Sequence, residues 1–173
     1  VTSESYTATL TDQAGTVNAS GSMRLNGKAP APPTKRGDPV LHKGQSIPSA
    51  TREEMEKLQE NGMYALEARW SRETNMATYL KDPAAMPTLH NFNARACANA
   101  AFMLGLSNWA LAGNAYMNPW IHLQTDSQNY AIVEEGTQLT VECDIRDLFA
   151  KKGHEFVDLN VDVYVRDTAQ PVM

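Results

Sequence analysis

The chain has 173 residues, enough for about one ordinary domain. It is 42% hydrophobic and 20% charged, which supports a buried core and excludes a disordered tail. No run approaches the roughly 18 apolar residues of a membrane span. The net charge of −5 and a pI near 5.3 argue against a nucleic-acid binder, which carries a basic face.

Residues 1–26 read as a β-hairpin. Tyr6, Ala8 and Leu10 alternate with threonines, Thr11 to Gly15 form a polar turn, and Val17, Ala19, Gly21, Met23 and Leu25 resume the alternation. A hairpin alone is marginal in water and needs a further partner. Residues 27–48 carry Pro30, Pro32, Pro33, Pro39 and Pro48 and read as an extended connector. Lys35 and Arg36 lie in it, either as solvated linker residues or as contacts for an anion, the first reading carrying more weight. A short helix is predicted from Ala50 to Gln59, opened by a capping box at Thr51 and Glu54 and stopped near Asn61-Gly62. Tyr64, Leu66, Ala68 and Trp70 alternate as in a strand, and Met76, Tyr79 and Leu80 suggest a helical turn.

Asp82-Pro83 and Met86-Pro87 mark a loop, and after it the composition predicts a long helix from Asn91 to Ala112. Small apolar residues dominate it, and Arg95 is its one ionised side chain. A helix apolar nearly all round is a buried one, so an enclosing sheet is expected. The C-terminal third supplies candidate strands. Pro119 to Tyr130 opens with Trp120, Ile121 and Leu123. Leu139, Val141, Cys143 and Ile145 alternate with polar residues, as do Leu159, Val161, Val163 and Val165. The expected class is α+β, a curved antiparallel sheet around one hydrophobic helix. The chain opens inside strand-like sequence and closes at Asp167 to Met173 in a turn of the kind that leads into another strand, which predicts a fragment of a longer protein.

Cys97 and Cys143 form no C-x-x-C pair and stand at no zinc-finger spacing, so two buried reduced thiols in a cytoplasmic setting are expected, with a disulfide as the alternative. The histidines lack metal-ligand spacing such as H-x-x-x-H, and no metal is predicted. His122 is expected to be satisfied within a strand, and His154 to be exposed after a turn.

Asn118-Pro119-Trp120-Ile121-His122, Gly136 to Val141, and Phe149 to Val157 resemble the strands that follow the helix in MaoC-like dehydratases of the hotdog superfamily. The resemblance covers about residues 48–173. It implies a hotdog domain at 49–173 lacking its last strand, a connector at 27–48, and at 1–26 the closing hairpin of a preceding hotdog unit. It also implies an acyl-thioester ligand such as an acyl-CoA, no further cofactor, (R)-specific enoyl-CoA hydration or dehydration, and a homodimer or intrachain pairing with a second hotdog unit.

That chemistry needs an acid–histidine pair to activate water, donors for an enolate-like oxygen at a helix N-terminus, and an apolar path for the acyl chain. The family's D-x-N-P-[LI]-H motif is matched at its end by Leu89-His90. Ala85 stands where the acid belongs and Pro87 where the asparagine belongs, and the nearest acid, Asp82, is three positions too early. His90 is therefore read either as the base or as a hydrogen-bonded structural residue, the latter carrying more weight. Asp82 is its possible partner or simply a turn former. The resemblance places substrate contacts at Asn91, Phe92, Asn93 and Trp120, with helix capping as the alternative for the two asparagines. Trp109, Tyr116 and Met117 either line the acyl path with Trp120 or are ordinary core. Lys151 and Lys152 either meet coenzyme A phosphates or are a solvated turn. Two rivals stay open: a non-catalytic hotdog half that supports an active one, and a thioesterase, for which Glu73 or Asp82 would have to serve.

Overall fold

The computed structural model describes residues 3–25, 27–34, 39–72, 91–93 and 95–173. The chain divides into two compact units, Val1–Ala31 and Pro32–Met173.

The first unit is an antiparallel hairpin of β1 (Glu4–Thr11) and β2 (Val17–Leu25). Asp12 builds its turn by accepting the Ala14 and Thr16 amides on Oδ1, at 2.9 and 2.8 Å. The register opposes Tyr6 to Met23, Ala8 to Gly21 and Leu10 to Ala19. Tyr6, Ala8, Leu10, Ala19, Met23 and Leu25 therefore share one face, and Ser5, Thr7, Thr9, Ser20, Ser22 and Arg24 take the other; a bulge after Leu10 sets Val17 opposite Thr11.

The second unit begins with residues that the composition assigned to a connector. From Pro39 onward they are docked: Val40 O accepts the Ala65 amide, and Pro48 O and the Ala50 amide bracket Tyr116. Helix α1 (Arg52–Asn61) follows. Half of the expected capping box forms. Thr51 Oγ1 accepts the Glu54 amide at 3.3 Å, but the Glu54 carboxylate turns to Lys57 Nζ at 2.7 Å. The alternation at Tyr64 to Trp70 yields β3 (Leu66–Arg69).

The long helix starts later than its composition predicts. Asn91–Phe92 (β4) pairs antiparallel with Arg95–Ala96 (β5), and Asn93 turns between them at φ 48°. The backbone of the next residues is also taken: Ala98 N–H donates to Val133 O, Ala96 O accepts from Glu135 N–H, and Cys97 bridges Glu134. These pairings are incompatible with a helical ladder, so α2 runs only from Ala100 to Ala112. Asn99 caps it, its Oδ1 accepting the Phe102 amide at 2.8 Å.

Strands β6 (Gln138–Lys151) and β7 (His154–Val165) form a long hairpin through Lys152 and Gly153, both at positive φ. With β3 they make a three-stranded antiparallel sheet in the order β3-β6-β7. The inner face carries Leu139, Val141, Cys143 and Ile145 opposite Val165, Val163, Val161 and Leu159. The next apolar residue, Leu148, is three positions on, which strict alternation would send outward. A bulge between Ile145 and Asp147 absorbs Arg146 and returns Leu148 to the inner face, opposite Val157. Beyond β7, Gln170 to Met173 fold back and bond to Val163 and Val165.

α2 packs Phe102, Met103, Leu106 and Ala110 onto the inner face, with Trp70, Val133, Val172 and Met173 completing the cluster. A second cluster joins Met55 of α1 to Leu111, Ala115 and Ile145. Helix α1 also shields the edge of β6 that β3 leaves open. Arg52 Nη2 donates to Leu148 O at 2.9 Å, and Gln59 Nε2 reaches Ile145 O and Arg146 O at 3.4 Å. The sheet covers α2 on one side only, since Leu104 and Trp109 are exposed.

The expected strand from Pro119 to Tyr130 lacks a ladder. This stretch is bend-free from Trp120 to Tyr130, but its one backbone bond to a strand is Tyr130 N–H to Val172 O at 2.8 Å, among the described residues. The architecture is α+β, a small antiparallel sheet with two helices among the described residues. No helix among these residues is long and apolar enough to cross a membrane.

Candidate functional site

Asp82 and His90 lie outside the described residues, as do Glu73, Ala85, Pro87, Lys35, Arg36 and the expected helical turn at Met76 to Leu80. The residues that follow His90 are placed. Asn91 and Phe92 stand in β4 and Asn93 in the turn, ahead of the helix rather than within its first turn. The helix N-terminus is therefore at Asn99, and Asn91 and Asn93 do not cap it. Its Ala100 and Ala101 amides have no partner among the described residues, as the first amides of a helix do when no side chain reaches them.

A cavity of about 310 Å³ opens beside this hairpin, lined by Asn93, Arg95, Cys97, Ile132 and Glu134. Ile132 and Glu134 form one wall, held in place because the neighbouring Val133 and Glu135 bond to Ala98 and Ala96. Arg95 Nη1 meets Glu134 Oε1 at 2.8 Å, and that contact raises the guanidinium pKa further. Burial, and then the charge of Glu134, push the Cys97 thiol pKa up. The thiol therefore stays protonated at neutral pH and is a poor nucleophile. The cavity offers an amide, an ion pair and a neutral thiol, a set suited to holding a polar ligand.

Arg95, Cys97 and Glu134 were not singled out as site residues from the sequence. One signal was visible: Arg95 is the single charge in an otherwise apolar stretch. Nothing in the spacing of Glu134 ties it to Arg95.

Trp120 belongs elsewhere. With Leu111, Ala112, Ala115, Tyr116, Met117 and Asn118 it lines a cavity of about 270 Å³ at the C-terminal end of α2. Three of the four side chains expected along an acyl path thus meet, while Trp109 packs edge-on to Phe102 at 5.8 Å.

His122 is satisfied, though not in a strand. Its Nδ1 pairs with Asn108 Oδ1 at 3.0 Å, its Nε2 with Gln124 O at 3.2 Å and with Thr125 Oγ1, and its ring stacks on Trp120. His154 is exposed at the start of β7, and Lys151 and Lys152 are exposed beside it. His42 Nδ1 accepts the Gly44 amide, and its ring meets Tyr64 edge-on at 5.6 Å. Cys97 and Cys143 are both buried and are not joined in a disulfide.

Compared with known protein families, characterised proteins and solved structures, the chain has no match.

Proposed function

We propose that the chain is a MaoC-like hotdog protein that binds an acyl-CoA-type thioester and hydrates an enoyl thioester, or runs the reverse dehydration, with (R) specificity. The observation that carries this reading is the packing of α2 onto the inner face of an antiparallel sheet. The short β4–β5 hairpin leads from the His90 segment to the start of that helix. His90 would take the proton of the attacking water, with Asp82 as the nearest acid in sequence. The free amides at Ala100 and Ala101, and the positive end of the helix, would steady the developing enolate oxygen. Asn91, Phe92 and Asn93 would contact the thioester end of the ligand. Trp120 and its apolar cavity would take acyl carbons, and no cofactor is required. In this reading the domain pairs with a second hotdog unit, in the same chain or a second copy. Two buried cysteines without a disulfide between them support a reducing, cytoplasmic setting.

Ala85 and Pro87, which replace the acid and the asparagine of the family motif, favour a second reading. There this unit shapes the tunnel and interface while another unit carries the acid–histidine pair. A thioesterase has no comparable support.

Crotonyl-CoA hydration, followed as loss of enoyl absorbance, separates them beside a His90→Ala variant. The first reading expects turnover that falls about 10²–10⁴-fold in the variant. Turnover that survives the change assigns the chemistry to another unit. A protein that neither hydrates nor binds crotonyl-CoA overturns both.

A further inference from the structure

The segment from Arg95 to Ala98 and the segment from Ile132 to Glu135 form a short ribbon whose two faces differ. Cys97 and Glu134 stand directly opposite each other in antiparallel pairing. The bonds from Ala98 N–H to Val133 O and from Glu135 N–H to Ala96 O flank that pair. It is therefore the narrow, non-hydrogen-bonded kind, with its side chains close together. Side chains alternate along each segment, so Arg95, Cys97, Ile132 and Glu134 share one face. Ala96, Ala98 and Val133 take the other and pack into the α2 cluster. The first face is left to wall the cavity of about 310 Å³. Its polar groups are not used up. Arg95 gives Glu134 Oε1 only its Nη1 donor. The Nε–Nη2 edge of the guanidinium, Oε2 of Glu134 and the Asn93 carboxamide have no hydrogen-bond partner among the described residues. Cys97 is buried beneath them, and the half-exposed Ile132 adds an apolar wall.

We propose that this cavity binds a free α-amino acid with an apolar side chain. Arg95 and Glu134 bring one charge of each sign to its lining. A simple anion is drawn to Arg95 but repelled by Glu134, and a simple cation meets the reverse. A zwitterion meets both charges favourably. Its carboxylate accepts two parallel bonds from the Nε–Nη2 edge, the fork that matches carboxylate geometry. Its ammonium donates to Glu134 Oε2. Ile132 and Cys97, a small hydrophobe in its protonated form, then face the side chain. With about 30 Å³ for each water-sized volume, the cavity admits roughly ten non-hydrogen atoms, the size of leucine or methionine. The site is separate from the apolar cavity at Trp120, and the inference does not rest on the thioester reading.

Titration calorimetry with L-leucine reads the outcome directly, with a dissociation constant expected below about 1 mM. Isocaproate, which lacks the ammonium, and isoamylamine, which lacks the carboxylate, should each bind at least tenfold more weakly. Arg95 and Glu134 are exposed, so their variants should keep the fold, checked by circular dichroism. Glu134→Gln should weaken leucine at least tenfold and strengthen isocaproate. Arg95→Met should weaken leucine as much and strengthen isoamylamine. Amide chemical shifts of Arg95, Cys97, Ile132 and Glu134 should move as leucine is added. Leucine that fails to bind below about 1 mM, or isocaproate held as tightly as leucine, overturns the proposal without recourse to a variant. Charge variants that bind leucine like the wild type place the ligand elsewhere and overturn it too. No thioester is present in these titrations, so failure here and failure of the hydratase reading are distinguishable.

Discussion

Cys97 lies in the wall of a cavity with Glu134 beside it, and both burial and that carboxylate disfavour its thiolate. An unfolded thiol loses its proton near pH 8.5, and the folded one does so at higher pH. Between those two values the folded state holds a proton that the unfolded state has released. Stability is therefore full below the ordinary thiol range and declines as pH rises through it. Urea unfolding at neutral and mildly alkaline pH should show this decline in the wild type. A Cys97→Ala variant should start lower, having lost packing, and decline less steeply. Equal slopes in the two proteins would disprove the assignment. Glu142 poses a different question: it is buried in β6, and neither carboxylate oxygen has a hydrogen-bond partner. Its side chain projects from the outer face, opposite Asp162, away from the α2 core.

At the scale of elements, α2 is held by more than its apolar face. Asn114, buried just past its C-terminus, donates through Nδ2 to Tyr64 O and Ala110 O, both at 2.9 Å, and accepts the Tyr64 amide on Oδ1 at 2.7 Å. One side chain thereby closes the helix end and fastens it to the strand that enters the sheet. Asn114→Ala leaves three backbone groups without partners in a place water does not readily reach. It should lower the unfolding free energy by roughly 2–3 kcal/mol, read from chemical denaturation. A loss below about 0.5 kcal/mol would mean that water replaces the amide without cost. The Arg146 bulge works at the same scale. It lets a long strand keep Ile145 and Leu148 on one face, and so carries the sheet from the α2 cluster to the α1 cluster.

At the scale of the whole molecule, the two units differ in what they bury. Every residue of β1 and β2 is exposed, whereas β6 contributes five consecutive buried residues, Leu139 to Cys143. A two-stranded hairpin without a covered face is marginal in water. Hydrogen exchange should therefore be fast throughout Glu4–Leu25 and slow in α2 and the centre of the β6–β7 ladder. Protection of the hairpin equal to that of β6 would show that its apolar face is covered in solution.

Both hairpins, α1 and β3 were legible in the sequence because each is a local pattern: alternation of period two, a turn with glycine, a capping threonine. Those signals need no knowledge of a partner. The extent of α2 was not legible. Residues 91–98 have a helix-like composition, but Val133 to Glu135, far away in sequence, claim their backbone. The Pro119 to Tyr130 stretch failed in the opposite sense, since alternation records a capacity to pair and not the presence of a partner. The site divides in the same way. The sequence marked Asn93 and the exceptional charge of Arg95, while Glu134 and Cys97 joined them only through long-range pairing. Thus the sequence by itself determined the class, the strand faces and the amphipathic hairpin, because side-chain periodicity is a property of neighbours along the chain. Tertiary structure alone decided where the central helix begins, which groups share a cavity and which strand-like stretch forms no ladder, because these depend on contacts between segments that no local pattern encodes.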